Sequence, residues 1–94
     1  MARKKLSPEK VAEGLASLKG WKHEGDAITK QFTFKDHVAA LGFVVKVAAT
    51  AETLDHHPEV NWVYNRVRLT LSTHDAGGVT ARDFELAARA DSLK

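Results

Sequence analysis

Residues 52–64, ETLDHHPEVNWVY, mark the point where a predicted long helix ends and a strand begins. Pro58 disfavours helical geometry at His57, so the sequence predicts that the helix ends one or two residues before this histidine. After the proline, apolar and polar residues alternate with the period of a strand in VNWVY and again in residues 66–73, RVRLTLST. The two strands are predicted to form a hairpin whose turn lies at residues 65–66.

The helix before this point is predicted to run from Asp36 to about Leu54, and only one tolerated glycine interrupts it. One face carries an apolar stripe that Glu52 continues: Val38, Leu41, Val45 and Ala48. Three more residues widen the apolar surface beyond that stripe: Phe43, Val44 and Val47. A helix that is apolar over so much of its circumference is covered on more than one side. We therefore predict a homo-oligomer in which a second subunit provides part of the cover.

The rest of the chain supplies two more helices and a second hairpin. SPEK, residues 7–10, predicts a helix start with a serine cap and a proline in the first turn. GWKHEGDAITKQFTF, residues 20–34, predicts a hairpin with its turn at residues 25–26. Thr80 and Asp83 predict the capped start of a last helix. This order predicts an α+β fold: a two-layer sandwich of one four-stranded antiparallel sheet with three helices on one face (α-β-β-α-β-β-α).

Size and composition fit a single domain over residues 1–94. The chain has no cysteine, which removes disulfides, thiolate catalysis and cysteine-ligated zinc. Its net charge is +2 with both signs interspersed, and its only basic cluster lies in residues 1–6, which we interpret as a flexible arm. The apolar run ALGFVV is too short to span a membrane, and no apolar stretch follows MARKK. We expect a cytoplasmic protein that binds neither nucleic acid nor membrane.

Four ionisable residues crowd the predicted helix end: Glu52, Asp55, His56 and His57. One interpretation is a metal site, because Glu52 and His56 are four residues apart and could reach one ion together. Adjacent histidines point in different directions, however, so His57 is a poor partner for His56 at one metal. Zinc would need His56, His74 and a carboxylate, and no HExxH-type spacing is present. We therefore expect no metal here.

Two other interpretations are a hydrated helix terminus and an acid–base active site. The helix dipole favours a protonated imidazole at a helix C-terminus, which accounts for either histidine alone. Histidine, with an unperturbed pKa of about 6.5, also gives and takes protons at neutral pH. His74, a third histidine, follows a predicted strand beside a glycine-containing loop, where functional groups gather. His23 and His37 have no such company, and we interpret them as surface residues.

The spacing of this cluster resembles a known signature. Its members are Glu52, HHP at residues 56–58, Tyr64, His74 and Asp83. This spacing is similar to that of the pterin-4a-carbinolamine dehydratase family. The segments DAITKQFTFKDH, LDHHPE, VYNRV, LTLSTH and RDFELA also resemble family segments, so the resemblance extends over nearly the whole chain. The sequence departs from the pattern in VNWVY, which shifts an aromatic residue within the third strand, and in its basic N-terminus.

The resemblance implies dehydration of 4a-hydroxytetrahydrobiopterin to quinonoid dihydrobiopterin, which regenerates the pterin after an aromatic amino acid hydroxylase has used it. It assigns the acid–base work to His56, His57 and His74, with His57 nearest the 4a-hydroxyl, and it implies no cofactor. Family members form dimers and dimers of dimers. Some animal members also serve as dimerisation cofactors of a homeodomain transcription factor. The alternatives are a protein-binding module and a pterin enzyme of molybdopterin metabolism.

The resemblance also implies five residues that bind the pterin substrate. Glu52 and Asp55 would orient imidazoles or bond the NH groups of the pterin. Trp21 and Arg82 resemble residues that line the family's pocket, although a role as core anchor accounts for Trp21 equally well. For Asp83 the main expectation is helix capping, and a role in the site is secondary.

Overall fold

The computed structural model describes residues 4–94, in which helices cover one face of a sheet. The helices are α1 (Pro8–Leu15), α2 (His37–Leu54) and α3 (Ala81–Leu93). The strands are β1 (Lys22–Glu24), β2 (Ala27–Thr33), β3 (Glu59–Val63) and β4 (Arg66–Leu71), and a short 3₁₀ helix at His74–Ala76 lies between β4 and α3. The predicted order of elements and the α+β class are confirmed.

The sheet has the strand order β1-β2-β4-β3, and all its neighbouring strands are antiparallel. Val67 of β4 lies opposite both Phe32 of β2 and Trp62 of β3. Directly opposite residues share a face, so these three side chains point together toward the helices. Arg66 and Arg68 flank Val67 along β4, point to the other face and are exposed. One face of the sheet therefore carries the core, and the other faces solvent.

Both ends of α2 lie where the sequence places them. Asp36 is the N-cap, and its side chain accepts a hydrogen bond from the Ala39 amide at 2.8 Å. The helix ends at Leu54, and the next residue, Asp55, adopts the left-handed conformation with a φ of 52°. Pro58 follows three residues later, and β3 begins directly after it. The predicted transition from helix to strand is confirmed.

The structure shows which face of α2 packs on the sheet. The face that packs on the sheet carries its buried residues: Ala40, Phe43, Val47 and Ala51. The stripe that the sequence singled out is exposed instead: Val38, Leu41 and Val45. Phe43 and Val47, which the sequence places outside the stripe, are thus core residues, because periodicity shows which residues share a face but not which face meets the sheet. By length and composition α2 could also cross a membrane, a test that ordinary core helices pass as well.

The turn between β3 and β4 lies at Tyr64 and Asn65, one residue before the predicted position, because Arg66 already pairs with β3. Tyr64 has a φ of 53°, which is rare for a bulky residue. Its carbonyl accepts hydrogen bonds from Nδ1 of His37 at 2.8 Å and from Nε1 of Trp62 at 2.9 Å. The His37 ring also stacks on Trp62, with 4.6 Å between ring centroids. His37 is exposed as predicted, and these contacts attach it to the turn between β3 and β4.

The N-terminal segment leads into α1. Ser7 is the N-cap as predicted, and its hydroxyl accepts a hydrogen bond from the Lys10 amide at 3.3 Å. The Leu6 amide donates to the Val79 carbonyl at 2.8 Å, which attaches the segment to the loop before α3. Residues 1–3 of the predicted basic arm lie outside the described residues, and the flexibility of the arm stays a prediction.

Candidate active site

The first histidine of the HHP motif is buried against a buried carboxylate. His56 lies just beyond α2, and its Nε2 is 2.6 Å from Oδ1 of Asp83, the third residue of α3. The two side chains are 7% and 0% exposed, so water scarcely screens their contact. The contact joins the end of α2 to the start of α3.

Hydrogen bonds of determined direction hold Asp83 in place. Its Oδ2 accepts from the Thr80 amide and from the Thr73 hydroxyl, both at 2.9 Å. Because Thr73 donates its proton in this way, the Thr80 hydroxyl donates to Thr73 at 2.7 Å, and Thr80 Oγ1 accepts from the Arg82 amide at 3.2 Å. The predicted capping of α3 is confirmed. Oδ1 of Asp83 remains as acceptor for Nε2 of His56, so Nδ1 of that ring is left to exchange a proton.

The second histidine of the motif faces solvent. Nε2 of His57 lies 2.8 Å from Oε1 of Glu52 in the last turn of α2. The two side chains are 57% and 82% exposed, and a pair so exposed contributes little to stability. The carboxylate instead orients an imidazole that a small molecule can reach.

The third histidine lies beside the same carboxylate network. His74 begins the 3₁₀ helix directly after Thr73, whose hydroxyl donates to Asp83. Its side chain is exposed, and within residues 4–94 its imidazole makes no hydrogen bond. Asp83 is thus bonded to one residue next to His57 and to another next to His74. We call this region the histidine corner and define it by five residues: Glu52, His56, His57, His74 and Asp83.

Arg82 and Asp55 lie at the same corner. Nη2 of Arg82 donates to the carbonyls of Leu54 and Asp55, at 2.6 and 3.0 Å. The Asp55 side chain is exposed. The fold therefore gathers all the predicted site residues except Trp21 at the junction of α2, β4 and α3. Their contacts with a pterin stay predictions.

Comparisons with known proteins identify the family. A family model described as pterin 4 alpha carbinolamine dehydratase matches residues 4–93. The chain belongs to the pterin-4a-carbinolamine dehydratase family. A provisionally named pterin-4-alpha-carbinolamine dehydratase of Acidobacterium capsulatum is 51% identical over 88 residues, which cover 94% of this chain and 96% of the relative. A protein of the same provisional name from Sulfurisphaera tokodaii is 44% identical over 90 residues, which cover 96% and 97%.

Two solved structures are similar to this one. The crystal structure of a transcriptional coactivator/pterin dehydratase from Brucella melitensis matches with a TM-score of 0.93 and 41% identity, over 96% of this chain and 98% of that one. A pterin dehydratase-like protein identified as a RuBisCO assembly factor in the alpha-carboxysome matches with a TM-score of 0.68 and 27% identity, over 79% and 88%. The family assignment and the fold therefore agree.

Trp21 is the predicted site residue that the fold places elsewhere. Its indole is buried, and Nε1 donates to both carboxylate oxygens of Asp91 at 3.2 and 3.1 Å. Its ring meets Phe32 edge-on, with 6.1 Å between centroids. Asp91 lies eight residues beyond Asp83, about 12 Å further along α3. These contacts are those of a core anchor, and contact with pterin stays a prediction.

The structure also bears on the interpretation of the cluster as a metal site. Within residues 4–94 no group of three histidine, cysteine, aspartate or glutamate side chains could hold a metal ion. A reaction without metal stays a prediction.

Sequence reasoning missed Thr73, which helps to fix Asp83. A threonine at the end of a strand is common, so the sequence carries no signal for this hydroxyl.

Proposed function

We propose that this protein dehydrates 4a-hydroxytetrahydrobiopterin to quinonoid dihydrobiopterin and water, by acid–base catalysis at the histidine corner. The observation that supports the proposal most is the contrast within the HHP motif. His56 is buried against Asp83, whereas His57 is exposed beside Glu52. One imidazole is fixed and the next is accessible, in a member of a family of pterin carbinolamine dehydratases.

The reaction needs two proton transfers and no change of oxidation state. The C4a–O bond breaks, and its electron pair leaves with the oxygen, which takes up a proton and departs as water. The lone pair of the adjacent ring nitrogen forms a double bond to C4a, and that nitrogen then loses its proton to a base. Positioned imidazoles can perform both transfers, and each such group typically contributes about 10²–10⁴-fold in rate.

His57 is the general acid in this proposal. Its ring is open to a bound pterin, and its Nε2 is engaged by Glu52 at 2.8 Å. Nδ1 of His57 is therefore the atom that delivers a proton to the 4a-hydroxyl. Pro58 supports this arrangement, since it disfavours helical geometry at His57 and so separates this residue from α2.

His56 and His74 supply the base and a group that orients the pterin. Nε2 of His56 is engaged by Asp83, so Nδ1 is the atom that takes a proton. The imidazole of His74 makes no hydrogen bond within residues 4–94 and is available to bond the pterin ring. Asp55, exposed at the same corner, is placed to accept from the NH groups of the pterin. No step requires a metal or a redox cofactor.

The cellular role follows from the product. A quinonoid dihydropterin is a form that a reductase can return to the tetrahydro state. We therefore propose a role in recycling of tetrahydrobiopterin after aromatic hydroxylation. We also propose that the protein is cytoplasmic. A pterin enzyme of molybdopterin metabolism is the alternative within the same chemistry. Activity with biopterin and molybdopterin precursors, compared side by side, separates the two.

A protein-binding role is a second candidate, and the exposed stripe of α2 favours it. Exposed apolar patches mark interaction sites, and this one comprises Val38, Leu41 and Val45. Of the similar solved structures, one is described as a transcriptional coactivator/pterin dehydratase and another as a RuBisCO assembly factor. We propose that in this protein the stripe contacts a second copy, in a homodimer or homotetramer.

The dehydratase proposal is tested with purified protein and synthetic 4a-hydroxytetrahydropterin. We expect dehydration well above the spontaneous rate, and the same rate after exhaustive chelation, because imidazoles suffice for both proton transfers. Activity that is lost to the chelator and restored by zinc would contradict the metal-free mechanism. A rate no higher than the spontaneous one would overturn the dehydratase proposal and leave the protein-binding role.

A further inference from the structure

Arg82 links α3 to the C-terminal end of α2. Its Nη2 donates to the carbonyl of Leu54 at 2.6 Å and to that of Asp55 at 3.0 Å. The last carbonyls of a helix have no partner within the helix. The last turn of α2 also contains no basic residue of its own. One guanidinium from another helix therefore supplies both the missing donor and the positive charge that a helix C-terminus favours.

The segment that Arg82 holds is a Schellman motif with an unusual residue in its key position. The His56 amide donates to the Ala51 carbonyl at 3.0 Å, and the Asp55 amide to the Glu52 carbonyl at 3.2 Å. In this motif the residue directly after the helix is left-handed and is usually glycine. Here that residue is Asp55, with a φ of 52°. The bond from Arg82 to the Asp55 carbonyl offsets a conformation that a side chain disfavours.

The next residue in the motif is His56. The Schellman geometry therefore sets the main-chain positions of His56 and of His57, which follows it. The start of α3 therefore holds His56 in two ways: Arg82 bonds the main-chain carbonyls just before it, and Asp83 bonds its imidazole at 2.6 Å. The two anchors are adjacent residues. A shift of the peptide at Asp55 would move the His56 ring relative to a carboxylate that is itself fixed.

We propose that Arg82 is a positioning residue that sets the geometry of His56 and His57, rather than a contact of the pterin. The inference rests on the proposed function for its kinetic consequence but not for its structural one. The guanidinium is turned into the protein: Nη2 bonds two main-chain carbonyls, and Nε is buried with no hydrogen-bond partner among the described residues. A side chain in this position acts on the reaction through the peptide between α2 and the HHP motif.

The test compares Arg82→Gln and Arg82→Lys with a matched control, Arg89→Gln. Arg89 lies on the same helix and is exposed, and within residues 4–94 its side chain pairs only with Glu85, at 3.5 Å. We expect Arg82→Gln to lower kcat by about tenfold to a hundredfold, the loss that a misplacement near 1 Å can produce, with KM within twofold. Arg82→Lys keeps a cation that can reach one carbonyl and should lose less. Arg89→Gln should change neither constant.

A second readout does not depend on turnover. The proton between Nε2 of His56 and Asp83, 2.6 Å apart, should give a low-field proton NMR signal in the wild-type protein and in Arg89→Gln. We expect this signal to be lost in Arg82→Gln and weakened in Arg82→Lys. If Arg82→Gln fails to fold, the kinetic constants and the NMR signal of Arg82→Lys test the proposal instead.

Three outcomes would overturn the proposal: a higher KM at an unchanged kcat, kinetic constants unchanged in both Arg82 variants, or a His56 signal that survives both substitutions. The NMR arm also separates this proposal from the proposed function. If the wild-type protein fails to dehydrate the carbinolamine, the function falls, and loss of the signal in Arg82→Gln still supports positioning.

Discussion

α2 has a histidine at each end: His37 is its first residue and His56 lies two residues beyond its last. Nδ1 of His37 donates to the main-chain carbonyl of Tyr64 at 2.8 Å, and its ring stacks on Trp62. Nε2 of His56 meets the carboxylate of Asp83 at 2.6 Å. A carbonyl can only accept a hydrogen bond, whereas a carboxylate can also balance the charge of a protonated ring.

The two ends of α2 therefore differ chemically in the hydrogen-bond partner of the histidine, a carbonyl or a carboxylate, and not only in how exposed the histidine is. His37 is the more exposed of the two, yet its bond supports a turn in which Tyr64 has a positive φ. His56 is buried, yet it keeps one ring nitrogen for proton exchange. His57 follows it directly in the chain, and His74 follows Thr73, which bonds the same carboxylate of Asp83. Within residues 4–94, His37 has no histidine near it in either way. In the proposed function the C-terminal end of α2 therefore serves proton transfer, whereas the contacts at the N-terminal end stabilise a turn.

The largest effect should come from His57→Ala, with His37→Ala as its matched control. We expect the first change to lower kcat by about 10²–10⁴-fold, because it removes the accessible general acid. The second should leave kcat unchanged. Steady-state dehydration rates check both, and far-UV circular dichroism should show an intact fold. Near-native rates in His56→Ala, His57→Ala and His74→Ala would make the corner irrelevant to catalysis and favour the protein-binding role.

Asp83→Asn should have the next largest effect, and the effect should fall on kcat more than on stability. The amide oxygen can still accept from Thr73 and Thr80, but the amide nitrogen would donate to Nε2 of His56. That bond moves the ring proton to Nδ1, the atom that must be free to take one, so we expect kcat to fall by about 10²–10⁴-fold.

The control for that substitution is Asp91→Asn on the same helix, because Asp91 bonds Trp21 and Lys30 away from the corner. It should alter stability and leave kcat near the wild-type value. An Asp83→Asn enzyme with full activity would show that the carboxylate only caps α3.

Leu41→Glu tests the exposed stripe of α2, which runs between the two ends. We expect the wild-type protein to be oligomeric at micromolar concentration, and the variant to dissociate because it places a charge in an apolar contact. Sedimentation equilibrium measures both, and Thr33→Glu on the solvent-facing side of the sheet serves as control. A monomeric wild-type protein would contradict the proposed self-association.

The smallest effect should be the loss of stability in His37→Ala. The substitution removes one hydrogen bond to the Tyr64 carbonyl and the stack on Trp62, so we expect a decrease of about 0.5–1.5 kcal/mol in the free energy of unfolding. Urea unfolding checks it. No loss of stability would mean that the contacts of His37 do not stabilise the turn.

The order of elements could be predicted because local signals mark most boundaries. Ser7, Asp36 and Thr80 cap the three helices, and Pro58 separates α2 from β3. The hairpin turn was misplaced by one residue, since nothing local indicates that Tyr64 takes a positive φ. That conformation depends on side chains that reach the turn from elsewhere in the chain.

The resemblance predicts which residues belong to the site, and that assignment stays a prediction, but the arrangement of these residues could not be predicted. The contact between His56 and Asp83 spans 27 positions of sequence, and it exists because α3 starts where α2 ends. The left-handed Asp55 and the guanidinium of Arg82 that holds it are likewise products of tertiary packing. Periodicity also could not decide which face of α2 meets the sheet, because both faces are apolar.

Whether His56 and His57 act as one acid–base unit is tested most directly by a double-mutant cycle on these two residues. The measurement is kcat for the wild-type protein, His56→Ala, His57→Ala and the double variant, under one set of conditions. Residues that act as a unit are not additive, so we expect the rate of the double variant to fall by clearly less than the product of the two single losses. A loss equal to that product would contradict the claim that the histidines form a single acid–base unit.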